Sequence, residues 1–285
     1  GSAMTILTLS SQVLYGHVGN AVADFTLKRL GHPVIAVPTV VLSNHKGYSD
    51  TVGEVFGPDL LRDFFSALER RGALEDLSAV QTGFIATAGQ AQTIFDFLRE
   101  LRQSKPDLPI IVDPVMGDKG KLYVDPGLVA VFRERVPSLA SLITPNAFEA
   151  QTLVGEEPAE TDVLLERLSS GGFSSGLITS AETLLPASSD RAILCFSPEE
   201  HQIIRHPGLS FARDPNGVGD FVAALSAGLY GQGTLSERTE RIARALVALL
   251  TATQQAGGPE LALVTAQDQW VQALASSALM RATNA

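Results

Sequence analysis

The chain has 285 residues, 45% hydrophobic and 18% charged, which is enough for one large α/β domain with an ample core. Its 31 acidic and 21 basic residues give a net charge of −10, which argues against a nucleic-acid or anionic-membrane surface. No apolar run reaches the roughly 18 residues that a membrane-spanning helix needs.

The N-terminal segment and the cysteine content bear on where the protein is found. Residues 1–4 look like a cloning remnant that ends at the native start Met4, and 5–285 are predicted to form a single domain. The stretch after Met4 lacks the basic leader of a signal peptide. The single cysteine, Cys195, excludes an internal disulfide and lies in an apolar stretch typical of a buried strand. A cytoplasmic location is therefore the default expectation.

Short apolar runs alternate with amphipathic stretches, which is typical of a parallel sheet covered by helices on both faces. Strands are predicted at 5–10, 33–42, 77–83, 109–115, 139–145, 174–180 and 191–197. Helices are predicted at 59–72, 89–106, 220–233 and 241–257, of which 220–233 is apolar nearly all round and therefore central. The pattern also predicts a hairpin partner for 191–197 at 201–208, and a lid or edge strand within 47–58.

Polar residues follow most of the predicted strands. In sheets of this kind, ligands bind at the carboxyl ends of the strands, so these residues are candidates for a site. They include Ser10, Ser11, Gln12, Ser43, Asn44, His45, Asp113, Thr144, Asn146, Thr179 and Ser180. Loop residues are polar in general, so sharper motifs are needed to assign a function.

The sharpest motif is "GVGD" at 217–220, directly before the apolar helix. The amides of Gly217, Val218 and Gly219 would point outward at a helix N-terminus, which is a ready anion site. Asp220 would then be placed to take a proton from an attacking hydroxyl. A plain glycine turn with Asp220 as the helix N-cap explains the same residues. The motif lacks the third glycine of a dinucleotide-binding loop and the lysine of a Walker loop.

Two further motifs supply carboxylates. In "VDPVMGD", Asp113 ends a predicted strand and Asp118 follows five residues later. Such a pair would suit a Mg²⁺ held largely through water and phosphate oxygens, although a turn opener and a solvated loop charge are the structural alternative. In "TPNAFEAQTLVG", Asn146 and Glu149 have the spacing of a capping box, and Glu149 could still face a metal.

The first loop, within "SSQVLYGHVGN" at 10–20, contains Gly16 and Gly19. Glycine-rich loops of this type admit a ligand closely, but they also serve as plain tight turns. His17 and His45 stand alone in sequence. Each is more typical of a hydrogen-bonded loop residue than of a metal ligand.

In this order, D-P-V-x-G-D, T-P-N-x-x-E and G-x-G-D before a helix resemble the ribokinase superfamily. "SSQVLYGHVGN", "VLSNHKGY" and "TGF" are closer to its pyridoxal (vitamin B6) kinases, and the resemblance runs from about residue 5 to 255. It implies a ribokinase-like three-layer α/β/α sandwich with a central, mostly parallel sheet and a small lid or edge segment. It also implies transfer of the γ-phosphoryl group of ATP, with Mg²⁺, to the 5′-hydroxyl of pyridoxal, pyridoxine or pyridoxamine in B6 salvage, by a homodimer.

The resemblance implies a role for each matching residue. Asp220 would be the catalytic base, and the amides of Gly217, Val218 and Gly219 would stabilise charge on the transferring group. The Mg²⁺–phosphate cluster would be served, directly or through water, by Asp113, Asp118 and Glu149. The rest of the ATP site would comprise Thr144, Thr179, Ser180, Arg205, His206, Pro207 and Gly208. The substrate site would comprise Ser11, Val18, Leu42, His45, Lys46, Phe84, Tyr123 and Asp220, with Ser11 on the polar edge of the pyridine ring.

Two positions depart from the resemblance. Lys46 stands where related sequences often have threonine, and Asn216 stands where an apolar residue is commoner. Two alternatives to a pyridoxal kinase stay open. One is a hydroxymethylpyrimidine kinase of thiamine metabolism, which shares the same framework of motifs, and the other is a catalytically silent B6- or nucleotide-binding module. The first loop favours pyridoxal over the pyrimidine, and Asp220 with both glycines argues against the silent module.

Overall fold

A computed structural model describes residues 5–155 and 160–276, so the predicted remnant at 1–4 lies outside the described residues. The strands are β1 Thr5–Val13, β2 Val34–Leu42, β3 Gly53–Val55, β4 Leu77–Thr82, β5 Ile110–Val112, β6 Gly117–Asp118, β7 Lys121–Leu122, β8 Leu142–Ile143, β9 Gly176–Ile178, β10 Arg191–Phe196 and β11 His201–His206. The helices are α1 Asn20–Arg29, α2 Pro58–Arg70, α3 Ala88–Ser104, α4 Pro126–Arg135, α5 Ala147–Val154, α6 Thr161–Ser170, α7 Val218–Gly228, α8 Leu235–Ala256 and α9 Gln267–Ala275.

One large sheet forms the middle layer, in the order β11-β10-β9-β8-β5-β4-β1-β2-β3. The six strands from β9 to β2 in this order run parallel. The two edges are antiparallel: β3 pairs with β2, and β10 and β11 form a hairpin whose first strand pairs with β9. The short hairpin β6–β7 stands apart as a second sheet. The mostly parallel sheet places the carboxyl ends of its central strands along one edge.

Helices cover both faces of this sheet because its central strands are apolar on both sides. In β5, Ile110 and Val112 pack into a core with residues of α2 to α6, whereas Ile111 packs into the opposite core with residues of α7, α8 and α9. Residues of α1 are divided between that second core and a small cluster beside it. The predicted three-layer α/β/α sandwich is confirmed.

Helix α7 lies at the centre of the second layer. All of its residues from Phe221 to Gly228 are buried, as its uniformly apolar sequence predicted. The ring of Trp270 in α9 meets Phe221 edge-on, with 5.3 Å between ring centroids. Burial of so much apolar surface fixes the N-terminus of α7 against the carboxyl edge of the sheet.

Several predicted boundaries were wrong. Strand β1 continues to Val13 instead of ending at residue 10, with a register shift against β2 between Ser10 and Gln12. Ser11 and Gln12 are therefore strand residues, because β2 offers pairing partners as far as Leu42. Helix α8 begins at Leu235, six residues earlier than predicted, because Thr234 and Glu237 form a capping box there. The short segment at 47–58 contains the predicted edge strand, β3.

The buried strand position predicted for Cys195 is confirmed, since it lies in β10 and is 2% exposed. Within the described chain, no helix is both long and apolar enough to cross a membrane.

Candidate active site

The start of α7 forms the floor of the candidate site. Gly217 has a φ of 95° and acts as the N-cap, and the first helical hydrogen bond runs from Phe221 N to Gly217 O. The amides of Val218, Gly219 and Asp220 precede that bond and carry the positive end of the helix dipole. A side chain at Gly217 would collide with the main-chain oxygen of His17, so only glycine permits this turn against the first loop.

Asp220 is not the N-cap of its helix. In the described chain, no side chain caps α7; the Asp220 carboxylate instead accepts a hydrogen bond from the amide of Gly19, at 2.8 Å. Burial raises the pKa of Asp220 to about 6, against the opposing effect of the Gly19 amide. The capping alternative is therefore wrong, and the carboxylate lies where the first loop meets the start of α7.

Asp113 lies directly after β5 and is 5% exposed. Its Oδ2 lies 4.0 Å from the position that a Cβ on Gly219 would take, so "VDPVMGD" and "GVGD" adjoin in space. Burial raises the pKa of Asp113, and so do the negative charges of Glu149 and Asp220, while Thr144 opposes the rise. Asp113, Glu149 and Asp220 are therefore close enough for their charges to interact.

Glu149 forms the predicted capping box with Asn146. Asn146 Oδ1 accepts from the Glu149 amide at 2.7 Å, and Glu149 Oε1 accepts from the Asn146 amide at 2.9 Å. Oε2 also accepts from the amides of Met116 at 2.7 Å and Gly117 at 3.3 Å. Burial raises the pKa of Glu149 to about 7, although these backbone hydrogen bonds oppose the rise. Glu149 thus anchors the segment after Asp113 to α5.

Residues 117–124 contain the hairpin β6–β7. Asp118 lies on it, exposed, and its Oδ1 accepts from the amide of Lys119 at 2.8 Å. Lys119 in turn forms an exposed ion pair with Asp214, with 3.3 Å between Nζ and Oδ2. Tyr123 follows the hairpin, with its side chain 61% exposed. The hairpin therefore connects the acidic cluster, formed by Asp113, Glu149 and Asp220, to the segment before the "GVGD" turn.

The acidic cluster fits a hard cation only in part. Within 5–155 and 160–276, no three histidine, cysteine, aspartate or glutamate side chains are arranged to hold a metal by themselves. Both oxygens of Glu149 already accept backbone amides, and Asp118 is exposed. The carboxyl of Asp113, however, is buried beside two other acids, and carboxylate oxygens suit Mg²⁺ held through water and phosphate. The donor set fits a metal shared with a ligand, not a closed protein site.

The residues predicted for the nucleotide follow the next strands of the sheet. Thr144 is buried directly after β8, and Thr179 follows β9 and forms a bridge to Asn146. Ser180 has a φ of 51°, unusual for a residue other than glycine. Arg205 and His206 end the edge strand β11, and Pro207 and Gly208 follow, with Gly208 beside the main chain of Ser189. Burial lowers the pKa of His206.

Most of the residues predicted for the substrate lie on or after β1, β2 and β4, in the other half of the sheet order. Ser11 is buried in β1, and its side chain would collide with a Cβ on Gly19. Leu42 ends β2, and His45 lies in the loop that follows. The backbone of Phe84 is fixed on both sides, since its amide donates to Ser10 Oγ and its carbonyl accepts from Thr39 Oγ1. Val18 lies between the bonded residues His17 and Gly19, and Lys46 is exposed.

Sequence reasoning missed the part that four residues play in this region. The Gly19 amide, which holds Asp220, belongs to a loop that was noted only for its glycines. Glu260, which stands in no recognisable motif, joins the two substrate loops by binding the His17 amide and the hydroxyl of Tyr48, whose role within "VLSNHKGY" was not foreseen. Asn216, noted only as a departure, is exposed at the "GVGD" turn, and its Nδ2 lies 3.2 Å from the position of a Cβ on Gly47.

A helix N-terminus preceded by glycines, beside buried carboxylates at the carboxyl edge of a mostly parallel sheet, defines an α/β protein built to bind a phosphate-bearing ligand. A family model described as phosphomethylpyrimidine kinase matches residues 27–258. The pyridoxal kinase PdxY of Deinococcus radiodurans is 35% identical over 277 residues, which are 93% of this chain and 92% of that protein.

Two further relatives agree with this assignment. The pyridoxine/pyridoxal/pyridoxamine kinase of Bordetella pertussis is 34% identical over 263 residues, which are 90% of this chain and 92% of that protein. The solved structure of pyridoxal kinase from Leishmania donovani in complex with ADP and pyridoxamine has a TM-score of 0.84 at 26% identity, covering 93% of this chain and 95% of that one. The chain belongs to the phosphomethylpyrimidine kinase family and, within it, to the pyridoxal kinases, and the ribokinase-like fold is confirmed.

Proposed function

We propose that this protein transfers the γ-phosphoryl group of ATP to the 5′-hydroxyl of pyridoxal, giving pyridoxal 5′-phosphate in B6 salvage. The observation that carries the proposal is the Asp220 carboxylate, held by the Gly19 amide at 2.8 Å beside the amides that begin α7. A base and an anion site share one helix turn there. The relatives at 34–35% identity are named for kinases of pyridoxal and its vitamers, which supports pyridoxal, pyridoxine and pyridoxamine as the substrate class.

In the proposed reaction, Asp220 accepts the proton of the substrate hydroxyl as that oxygen attacks the γ-phosphorus of ATP. The amides of Gly217, Val218 and Gly219 donate to the phosphoryl oxygens, where negative charge is spread in the transition state. ADP leaves, and the proton stays on Asp220 until product release. A pKa of about 6 keeps this carboxylate mostly ionised at neutral pH and still able to take a proton.

Mg²⁺ would be held by Asp113, with Asp118 and Glu149 acting through water, and would supply positive charge to the phosphate oxygens. Thr144, Thr179 and Ser180 lie after neighbouring strands and line the proposed nucleotide side. Ser11, Val18, Leu42 and Phe84 line the proposed vitamin side, with His45, Lys46 and Tyr123 at its rim. Arg205, His206, Pro207 and Gly208 are proposed to close the nucleotide side at the sheet edge.

We also propose that the protein acts as a homodimer in the cytoplasm. Four large apolar side chains are exposed together where β1 ends beside β2 and β3, and their exposed fractions are 79% for Leu14, 60% for Tyr15, 68% for Val52 and 51% for Val55. The outer side of β3 is also an unpaired sheet edge. Sedimentation of the wild type and of Val52→Glu tests this: a dimer that the variant weakens supports it, and a monomeric wild type contradicts it.

The second candidate is hydroxymethylpyrimidine kinase, favoured by the description of the matching family model. Initial rates of ADP release with pyridoxal, pyridoxine, pyridoxamine and hydroxymethylpyrimidine, measured side by side, separate the candidates. Pyridoxal-dependent ADP release also eliminates the silent binding module. Release with the pyrimidine alone would overturn the proposal.

A further inference from the structure

Glu260 joins the two loops that border the proposed vitamin side. It follows α8, and its side chain is only 14% exposed. Oε1 accepts from the amide of His17 at 2.7 Å, in the first loop. Oε2 accepts from the hydroxyl of Tyr48 at 2.6 Å and faces Nε2 of His45 at 2.8 Å, both in the loop after β2. One carboxylate thus satisfies donors from two loops that are far apart in sequence.

These contacts fix the His45 ring. The Gly47 amide donates to its Nδ1 at 3.1 Å, so Nδ1 carries no proton, and Nε2 donates its own to Glu260. One face of the ring stacks on Tyr48, with 4.7 Å between centroids and 27° between planes. Both nitrogens are used within the chain, so His45 offers a substrate an aromatic surface and no free nitrogen.

Glu260 and Asp220 hold the same loop through amides two residues apart. Glu260 binds the His17 amide, and Asp220 binds the Gly19 amide two residues later. A Cβ on Gly16 would collide with the Glu260 carboxylate, so the loop closes directly onto it. Burial raises the pKa of Glu260, but the hydrogen bonds from Tyr48, His17 and His45 outweigh it and leave that pKa lowered. The carboxylate is therefore ionised at neutral pH, as an acceptor of three hydrogen bonds must be.

We propose that Glu260 is a positioning residue for the vitamin side of the site: it holds the His45 ring and the 17–19 backbone where the pyridine ring binds. The inference rests on the proposed function. It predicts that Glu260 acts on vitamin binding and has little effect on ATP binding, because its contacts all lie on the substrate loops. A residue that only stabilised the fold would lower the apparent kcat through the amount of folded enzyme and would leave both KM values unchanged.

The test compares Glu260→Gln with the wild type in steady-state kinetics. A glutamine has one acceptor oxygen, and its NH₂ must face either the His17 amide or the two donors Tyr48 and His45, so at least one of these three hydrogen bonds is lost in either orientation. We expect the KM for pyridoxal to rise about tenfold, as for loss of a hydrogen bond to a charged group, with kcat and the KM for ATP within about twofold. Glu166→Gln, an exposed change on α6, is the matched control and leaves all three constants unchanged. An unchanged KM for pyridoxal, or a rise in the KM for ATP as large as that for pyridoxal, would overturn the inference.

A second measurement does not depend on turnover. Long-range ¹⁵N–¹H NMR of the five imidazoles reads their tautomers, and a His45→Gln spectrum assigns the His45 signals. We expect the Nε2–H tautomer in the wild type and a shifted or mixed signal in Glu260→Gln. A His45 signal that is the same in both proteins contradicts the positioning role, whereas failure of the wild type to phosphorylate pyridoxal contradicts only the proposed function.

Discussion

Replacing Asp220 by asparagine removes the proposed base with little change of shape. The side-chain oxygen of the introduced amide can still accept the Gly19 amide, which the carboxylate accepts at 2.8 Å, so the first loop and the start of α7 keep their arrangement. The variant should therefore fold and bind ATP and pyridoxal as the wild type does. Only the proton acceptor is lost.

The expected loss of kcat is hundredfold or more, because a positioned general base contributes roughly 10²–10⁴ in rate. A hundredfold corresponds to about 2.7 kcal/mol of transition-state stabilisation. The pKa of about 6 gives a second experimental signature of the Asp220 carboxylate, the pH dependence of kcat/KM. Below that pH the wild-type kcat/KM should fall about tenfold per pH unit, because only the ionised carboxylate can accept the proton, and the variant should lack this limb.

The assay is pyridoxal-dependent ADP release from pH 5 to 8, together with pyridoxal binding measured by calorimetry. Asp107→Asn, an exposed change in the turn before β5, is the matched control and should leave both measurements unchanged. Near-wild-type turnover of Asp220→Asn would refute the base assignment. A loss of turnover that is matched by a loss of binding would show that the carboxylate acts in binding, not as the base.

Three other substitutions test separate parts of the account. Gly19→Ala, whose Cβ would collide with Ser11 in a backbone of φ 55°, should lower kcat at least tenfold and lower Tm; unchanged kinetics would mean that the Gly19 amide does not hold Asp220 in place. Asp113→Asn should abolish turnover yet raise Tm, and the gain in Tm should be larger at about pH 8 than at about pH 4. Burial and neighbouring acids raise the folded pKa of Asp113 above its unfolded value. The wild type therefore loses stability as the pH rises from the unfolded pKa to the folded pKa, and the asparagine variant does not. A Tm gain that is the same at both pH values would contradict this sign. Lys46→Thr should change the apparent affinity for pyridoxal, and an unchanged KM would place Lys46 outside the site.

The sequence alone predicted the strands of the large sheet in their chain order because burial on both faces of a parallel sheet leaves continuous apolar runs. Of the nine helices in the described residues, its ranges correspond to α2, α3, α7 and α8. It placed the ends of β1 and α8 poorly. Strand β1 continues through polar residues because β2 pairs with them, and the five polar residues at 236–240, which follow Leu235 at the start of α8, belong to a helix that Thr234 caps. Both depend on contacts or caps that an apolar pattern does not record.

For the candidate site, sequence motifs indicated candidate residues and their order along the chain, but not their hydrogen bonds. The capping box of Asn146 and Glu149 is local, so its spacing revealed it. The partner of Asp220 is 201 residues away in the chain, and that of Glu260 in the first loop is 243 away. No local sequence pattern records contacts between residues so far apart, so Glu260 could be identified only from the fold.

The central claim is that the chain phosphorylates the 5′-hydroxyl of a B6 vitamer. The most direct measurement is kcat/KM for pyridoxal and for hydroxymethylpyrimidine, with ATP and Mg²⁺, with the products identified by mass and ³¹P NMR. The account predicts pyridoxal 5′-phosphate as the product and a higher kcat/KM for pyridoxal than for the pyrimidine. A higher kcat/KM for the pyrimidine, or no phosphorylated product from pyridoxal, would contradict it.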